Sequence, residues 1–249
     1  MKKEIARDAY KNLIEESLRN EKDEFCPFRK ETQMDYLFKF LEKDFYKNES
    51  LKILDACCGY GRLIHFLNEL NEKQNYTGID YVEELINDGI RNFVGKKNIK
   101  FELYDVMALS DKYYKEFDIA INYKTLSWLP NYTTIIEQLI KATKQKVYIT
   151  SLFYDGDIDF ITKIFVNEQN SNENKFSYLN TYSYPKFKRY CISLGVKEVN
   201  SINMNLDFDL EKDNNINKLH TYTIPTKSGN RLEITGNVIL NWKLIEIVL

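Results

Sequence analysis

An apolar strand that runs directly into a glycine-containing bend and an amphipathic helix constrains the fold of this chain most. Residues 51–56 form a short apolar run, which predicts a buried parallel strand. From Leu63 to Leu70 the apolar positions follow helical spacing. Gly59 and Gly61 lie between the two and permit backbone angles that other residues resist, so that a ligand can lie against the main chain. The free N–H groups at the start of such a helix favour an anion.

The bend is one glycine short of the fingerprint of dinucleotide-binding folds. G-x-G-x-x-G requires a third glycine where this chain has Ile64. A bulky residue at that place weakens the close packing of helix on strand over a pyrophosphate. The sequence therefore favours a nucleotide-like ligand without a pyrophosphate, and a nicotinamide-dependent Rossmann oxidoreductase is the alternative.

The pattern Asp55-x-x-x-Gly59-x-Gly61 resembles motif I of the class I S-adenosylmethionine (SAM) methyltransferases. One residue departs from the family pattern, because Cys57 stands where the first glycine is usual, and the turn is less permissive as a result. The resemblance implies SAM as the cofactor and makes Asp55, Cys57, Gly59 and Gly61 candidate cofactor-binding residues.

Two more predicted strands end in an acid. Residues 76–80 form a second predicted strand, and Asp80 at its end can accept hydrogen bonds from both hydroxyls of a ribose. Residues 98–105 alternate like a strand and end at Asp105. In the resembled family this position binds the adenine amino group, and the next backbone N–H reaches the ring. The predicted cofactor site therefore also includes Asp80, Tyr81, Asp105, Val106 and Asn122.

The resemblance implies an α/β fold with a Rossmann-like, mostly parallel sheet of seven strands in the order 3-2-1-4-5-7-6 and helices on both faces. We predict one domain over residues 1–249, with N-terminal helices over 1–50, a SAM-binding core over 51–153 and substrate-side elements with antiparallel strands over 154–249. The N-terminal helices are expected at residues 4–19 and 32–46, either as a lid over the SAM site or packed on the sheet.

The last third of the chain carries three further structural predictions. A helix is expected to begin near Asp159, with Asp155 or Asp157 as its cap. A second helix is expected from Tyr182 to Leu194, and a strand from Val196 to Leu210. The segments 221–225 and 231–235, on either side of a Lys-Ser-Gly-Asn turn, predict an inserted β-hairpin.

The catalytic residues are harder to assign than the cofactor residues. A hydroxyl or amine acceptor usually needs a base, and histidine is the natural one near neutral pH. His65 and His220 both lie outside the loops at the ends of the two central strands. Tyr123, Tyr154 and Asp155 are therefore the candidate catalytic residues.

An anionic acceptor would need no base and would instead need cationic partners. Lys124 and Arg29 are the candidates for that role, with Arg189 a further one, and Trp128 is a candidate wall of the substrate pocket. The lack of an obvious base leaves a second alternative open, a non-catalytic SAM-binding protein.

Segments of the second half of the chain, including 126–130, 151–156, 179–185 and 231–236, resemble methyltransferases encoded in bacterial capsule and lipopolysaccharide gene clusters. Some of those enzymes are linked to O-methyl phosphoramidate decoration of capsules. The resemblance implies transfer of a methyl group to an oxygen of a small molecule, a phosphoramidate or sugar precursor of a surface polysaccharide. The loop after the fourth predicted strand lacks the Asn/Asp-Pro-Pro-aromatic motif of enzymes that methylate amino groups of nucleic acids.

Composition narrows the class of partner. The net charge of −2 and the sequence pI of about 5.9 do not provide the basic surface of a dedicated nucleic-acid binder. No apolar run approaches the length of a membrane span, and no signal-like segment follows Met1. The four cysteines fit neither a zinc pattern nor a disulfide framework, so no metal is expected. We expect a cytoplasmic protein, monomeric or homodimeric, that acts on a small molecule without nucleic-acid or membrane partners.

Overall fold

A central, mostly parallel sheet organises the computed structural model, which describes residues 31–47, 50–165, 176–212 and 220–249. The helix predicted at residues 4–19 and the candidate substrate residue Arg29 lie outside these ranges. The α-helices within them are α1 (Thr32–Lys47), α2 (Arg62–Leu70), α3 (Glu83–Asn92), α4 (Leu109–Lys112), α5 (Thr133–Ala142) and α6 (Tyr184–Ser193). The strands are β1 (Lys52–Ala56), β2 (Asn75–Asp80), β3 (Ile99–Leu103), β4 (Phe117–Tyr123), β5 (Thr143–Tyr154), β6 (Lys163–Phe165), β7 (Phe176–Tyr178), β8 (Tyr182–Ser183), β9 (Glu198–Asn203), β10 (Thr221–Pro225), β11 (Arg231–Thr235), β12 (Val238–Ile239) and β13 (Trp242–Val248).

The strand order of the central sheet is β3-β2-β1-β4-β5-β13-β9, with β8 paired to the end of β5. Strands β1 to β5 are mutually parallel, whereas β13 runs antiparallel to both β5 and β9. The predicted α/β fold with antiparallel strands at its C-terminal end is confirmed. β13 lies next to β5, where the predicted order has its seventh strand, and β9 lies at the edge, where it has its sixth. The predicted count of seven strands is wrong. Tyr182 and Ser183, predicted as the start of a helix, form an eighth short strand before α6 begins.

Helices cover both faces of the sheet because alternate residues of the buried strands face opposite sides. Ile53 of β1 belongs to a buried cluster with side chains of α1 and α2, whereas its neighbour Leu54 belongs to a second cluster with side chains of α5 and α6. The parallel strands all end at one edge of the sheet, and the loops that follow β1, β2, β3 and β4 meet there.

Helix α1 packs on the sheet through a continuous apolar stripe. Its fully buried side chains Met34, Leu37, Leu41 and Phe45 recur at helical spacing and lie in the first buried cluster. This is the packed arrangement that the sequence left open. The helix predicted at residues 4–19 lies outside the described ranges, so a lid formed by that helix over the SAM site stays a prediction.

The predicted helix near Asp159 is wrong. Residues 158–162 contain no helix but an isolated β-bridge between Phe160 and Thr181, and β6 follows them and pairs with β7. The carboxylate of Asp159 accepts a hydrogen bond from the backbone N–H of Ser183 at 2.7 Å and pairs with Lys186, so it holds the start of α6. The prediction of a strand over 196–210 is correct only for β9.

The predicted hairpin is confirmed. Strands β10 and β11 pair antiparallel from Thr221 opposite Thr235 to Pro225 opposite Arg231, and β12 extends them to a small three-stranded sheet. Gly229 in the connecting turn has a φ of 83°, a backbone angle that glycine tolerates best. None of the helices in the described ranges combines the length and the apolar character that crossing a bilayer requires.

Candidate functional site

The loop between β1 and α2 is a bend with three left-handed residues in five positions. The φ angles of Cys57, Gly59 and Gly61 are 66°, 55° and 92°. The backbone N–H groups of Cys57 and Cys58 both donate to the carbonyl oxygen of Ile79, at 2.7 and 3.0 Å, and fold the bend onto β2. Cys57, the departure from the family pattern, therefore adopts the backbone conformation that a glycine would adopt more easily.

The two glycines of the bend have different roles. A Cβ added to Gly59 would meet nothing within 4 Å, so the main chain at this residue is open to the cleft. A Cβ added to Gly61 would lie 2.5 Å from the ring of Phe101 and 2.9 Å from that of Phe93. Gly59 can thus accommodate a ligand against the backbone, whereas Gly61 is required by packing, a distinction that the sequence pattern did not make.

Asp80 joins the two loops that border the cleft. Its Oδ2 accepts a hydrogen bond from the backbone N–H of Gly59 and its Oδ1 accepts one from that of Val82, both at 3.0 Å. Burial raises the pKa of Asp80, and the hydrogen bonds from these N–H groups partly oppose the increase. A carboxylate accepts about four hydrogen bonds, so both oxygens can still bind hydroxyl groups of a ligand.

Asp55, near the end of β1, and Asn122, near the end of β4, carry buried polar atoms at the carboxyl edge of the sheet. Both carboxylate oxygens of Asp55 and the amide oxygen of Asn122 lack a hydrogen-bond partner among the residues that the structure describes. The amide nitrogen of Asn122 donates to the carbonyl of Ala56 at 2.9 Å, which turns the amide oxygen away from that contact. Burial, together with the charge of Asp80, raises the pKa of Asp55 to about 8.

A first cavity adjoins the ends of β1, β2 and β3 and the loop after β4. Of the predicted residues, it brings together Cys57, Gly59, Asp80, Tyr81, Asp105, Val106 and Trp128. The side chain of Asp105 accepts a hydrogen bond from the backbone N–H of Met107 and so fixes the turn that presents Val106. Trp128 was predicted for the substrate, yet it lines the cavity of the predicted cofactor residues.

Several other residues that line this cavity were not predicted from the sequence. They are Leu85, Met107, Thr125, Leu129 and Pro130. Three of them belong to the loop after β4 that the sequence did place at the mouth of the sheet. This loop contains a short 3₁₀ turn, Leu126–Trp128, which places Trp128 beside the cavity and which no sequence motif predicts.

A second cavity meets the first at Cys57 and Gly59 and is lined by Asp55, Arg62, Tyr123 and Lys124, among others. Glu31, which the sequence did not single out, also lines this cavity. Oε1 of Glu31 accepts a hydrogen bond from Arg62 at 2.6 Å, and Oε2 accepts from both Lys124 and Tyr123 at 2.8 Å. We call these four residues the Glu31 cluster.

The Glu31 cluster sets the protonation of its members. Burial raises the pKa of Glu31, but the charge and hydrogen bond of Lys124, with Tyr123 and Arg62, outweigh it and bring the pKa below its ordinary value. Burial, and then the charge of Glu31, raise the pKa of the Tyr123 hydroxyl well above its ordinary value. Tyr123 therefore acts as a hydrogen-bond donor here, which does not favour its predicted role as a base.

The other two candidate catalytic residues lie outside both cavities. Tyr154 packs edge-on against Phe160, with ring centroids 5.3 Å apart, and is 38% exposed. Asp155 pairs with Lys243 at 2.9 Å and lines a third cavity. The structure therefore does not bring Tyr154 and Asp155 to the predicted cofactor residues. Arg189 pairs with Asp157 at an exposed position.

Comparisons with known proteins agree with this geometry. A family described as Methyltransferase domain matches residues 47–213, about two thirds of the chain. Two curated relatives are malonyl-[acyl-carrier protein] O-methyltransferases: that of Bacillus cereus is 26% identical over 105 residues and that of Bacillus anthracis 28% over 103. These matches cover 42% and 41% of this chain and only 38% and 37% of the relatives. The chain thus spans less than two fifths of the curated relatives that it matches.

Solved structures share the fold at low sequence identity. The magnesium protoporphyrin IX methyltransferase of Synechocystis PCC 6803, crystallised with bound SAM, is 13% identical in sequence and matches with a TM-score of 0.52. The match covers 87% of this chain and 77% of that enzyme's chain. The YcgJ protein of Bacillus subtilis is 12% identical and matches with a TM-score of 0.52, and the match covers 84% of this chain and 97% of the YcgJ chain.

The residues of the cleft fit SAM as a ligand. Gly59 leaves the main chain open, Asp80 and Asp105 offer carboxylates at two strand ends, and the buried oxygens of Asp55 can accept hydrogen bonds from a ligand. The family match over two thirds of its length shows that the chain belongs to the methyltransferase-domain family, and its cofactor is S-adenosylmethionine, as the sequence implied.

Proposed function

We propose that this protein is a SAM-dependent methyltransferase that methylates an oxygen atom of a small molecule. The observation that carries the proposal is the meeting of two cavities at Gly59. One cavity presents Asp80 and Asp105 for a nucleoside, and the other contains Asp55, Tyr123 and Lys124 at the mouth of β4. Ligands of open α/β sheets bind outside the carboxyl ends of the strands, which is where both cavities lie.

Each residue at this edge has a definite task in the proposal. Asp80 would hold the ribose hydroxyls, Asp105 and the backbone of Val106 would hold the adenine, and Asp55 would lie under the amino-acid end of the cofactor. When bound, SAM supplies an electrophilic methyl group on a sulfonium sulfur. The chain contributes mainly by aligning the acceptor and excluding water, and such positioning can lower a barrier by about 7–11 kcal/mol.

For the acceptor we propose a capsule or surface-polysaccharide precursor, a phosphoramidate or a sugar. The support is the resemblance of the segments in the second half of the chain to methyltransferases of capsule gene clusters. The curated relatives are named O-methyltransferases, which supports an oxygen acceptor but concerns less than half of this chain. We propose that no nucleic acid or membrane takes part.

The packing at Ile64 does not favour a nicotinamide-dependent oxidoreductase. Ile64 occupies the third glycine place, is 1% exposed, and its Cδ1 would lie 2.9 Å from a Cβ at Gly78. In the dinucleotide-binding pattern a third glycine lets the helix pack closely on the strand. In this chain the large side chain of Ile64 packs against Gly78 instead.

Isothermal titration calorimetry with SAM, S-adenosylhomocysteine and NAD tests the cofactor, and we expect the first two to bind and NAD not to bind. Transfer of a radioactive methyl group from SAM to nucleotide sugars, phosphoramidates and malonyl thioesters then tests the acceptor. Binding of NAD without SAM would overturn the proposal. SAM binding without transfer to any acceptor class would instead indicate a non-catalytic SAM-binding protein.

A further inference from the structure

A third cavity, strongly polar, lies between the C-terminal hairpin and the ends of β5 and β9. Its polar lining comprises Asp155, Asn203, Arg231, Glu233, Asn241 and Lys243, among others, and we call it the hairpin cavity. Among the predicted site residues it contains Asp155, a candidate catalytic residue, and none of its lining residues lines the two cavities described above.

Trp242 connects the hairpin cavity to the cleft. Its indole ring lines the hairpin cavity, and the ammonium group of Lys124, which lines the second cavity, lies 5.0 Å from the ring. The indole N–H donates to Oε1 of Glu233 at 3.2 Å. The charges of Lys124 and Glu31 both act on Glu233. The hairpin cavity therefore adjoins the Glu31 cluster at the mouth of β4.

Both cations of the hairpin cavity are already matched by carboxylates. The ammonium of Lys243, only 6% exposed, pairs with Asp155 at 2.9 Å and with the side chain of Asn203. Arg231 pairs with Asp209, with Nε at 2.6 Å from Oδ1. An anionic ligand would have to compete with these acids, so the charge balance favours an uncharged one.

Glu233 is a half-buried carboxylate with spare capacity for hydrogen bonds. Trp242 donates the one side-chain hydrogen bond that it receives from the described residues, and a carboxylate can accept about four. Burial raises its pKa, and the hydrogen bond of Trp242 and the charge of Lys124 oppose the increase. A hydroxyl group of a ligand can donate a further hydrogen bond to this carboxylate. Asn203 and Asn241 add amide groups that both donate and accept.

We propose that the hairpin cavity binds the acceptor, that this acceptor is an uncharged polyhydroxylated molecule of the sugar class, and that one of its hydroxyl groups donates a hydrogen bond to Glu233. The inference rests on the proposed function and selects the sugar over the phosphoramidate. The aromatic wall of Trp242 and the amide and carboxylate groups match the apolar faces and the hydroxyl rim of such a molecule.

Saturation-transfer NMR on the full chain, saturated with S-adenosylhomocysteine, tests this inference. The probes are glucose, galactose and N-acetylglucosamine, the same sugars as UDP conjugates, and malonate and inorganic phosphate as anions. We expect at least one of the free sugars to bind, and we expect that malonate and phosphate do not compete with it. Binding of the conjugates alone would show that the charged diphosphate is recognised, and this outcome would overturn the inference of an uncharged acceptor.

Glu233→Gln should weaken sugar binding at least about fivefold, since a charged hydrogen bond is replaced by a neutral one. Asn241→Ala, at an exposed position of the same cavity, is a second variant that does not disturb the core. Glu246→Gln is the control, because Glu246 is also half-buried but bonds to Tyr148, Asn200 and Lys146, all outside the cavity. Neither Glu233→Gln nor the control should change the affinity for SAM.

Binding of malonate or phosphate alone, binding of none of the probes, or sugar binding unchanged in Glu233→Gln and Asn241→Ala would each overturn the inference. If the wild-type chain did not bind SAM, the proposed function would be overturned instead, so the two failures are distinguishable.

Discussion

The carboxylate of Asp80 accepts a hydrogen bond from the backbone N–H of Gly59 at 3.0 Å, across two loops that are 21 residues apart in the chain. This contact holds the bend at the end of β1 against the end of β2. We predict that Asp80→Ala weakens SAM binding by roughly 10- to 100-fold, which corresponds to the loss of about 1.5–3 kcal/mol of charged hydrogen bonding. Calorimetric titration with SAM measures the change.

Asp118→Ala is the matched control for Asp80. Asp118 also accepts a hydrogen bond from a backbone N–H, that of Lys52 at 2.8 Å, but at the amino ends of β1 and β4. Its replacement should leave SAM affinity within about twofold of wild type. An Asp80→Ala variant that folds and binds SAM normally would show that the ribose lies elsewhere.

The buried carboxyl of Asp55 predicts a specific pH dependence of stability. Its folded pKa of about 8 lies above the unfolded value of about 3.9, so the native state holds one more proton between these pH values. Stability should therefore fall as the pH rises from about 4 to about 8, by at most about 1.4 kcal/mol per pH unit from this group. Urea unfolding at pH 5.5 and 7.5 measures the difference.

Asp55→Asn should remove the contribution of this proton and make the dependence of stability on pH less steep. Some dependence should remain, because burial also raises the pKa of Asp80. The amide has nearly the same volume as the carboxyl, so the variant should lose little packing. A variant with the same slope as wild type would show that Asp55 is ionised in the free protein.

The elements predicted correctly from the sequence are those whose signals are local. The strand β1, the bend and α2 follow each other within 19 residues. Asp80 is the last residue of β2, and Asp105 follows the last residue of β3, Leu103, by two positions. Parallel strands bring such ends to one edge, so the neighbourhood of the cofactor residues could be predicted without long-range information.

The features that the sequence did not predict depend on contacts between distant segments. Glu31 and Lys124 are 93 positions apart, and no motif relates them. Asp159 has the residue type of a helix cap, but it receives its hydrogen bond from Ser183, 24 positions later, instead of starting its own helix. Residue type predicts the capacity for a contact, whereas the tertiary structure selects the partner.

The glycine at position 61 should be required for stability and not for ligand contact. Gly61→Ala combines a left-handed φ of 92° with the 2.5 Å clash against Phe101. We expect a loss of about 1 kcal/mol from backbone strain and a further 1–3 kcal/mol from overpacking. Gly95→Ala is the control, because Gly95 has a φ of 86° but open space around its Cβ, and it should show the strain alone. Equal losses in urea unfolding would contradict the packing role.

The Glu31 cluster should stabilise the start of α1 only while Glu31 is ionised. Its folded pKa is below the ordinary value, so its contribution is fully present above the unfolded pKa of about 4.3 and is lost as the pH falls through the lower folded pKa. We predict that Glu31→Gln lowers the free energy of unfolding by about 1–3 kcal/mol at pH 7, the range for hydrogen bonds to charged groups. The difference from wild type should shrink below about pH 4.

Hydrogen exchange shows where in α1 the stabilisation acts. The N–H of Met34 donates to the carbonyl of Glu31, so Glu31→Gln should accelerate exchange in this first turn. Asp44→Asn, which removes a pair with Lys146 at 2.5 Å near the other end of the same helix, should act on the last turn instead. Uniform acceleration of exchange along α1 in both variants would contradict this prediction. It would show that the helix opens as one unit and that Glu31 stabilises the whole helix and not only its first turn.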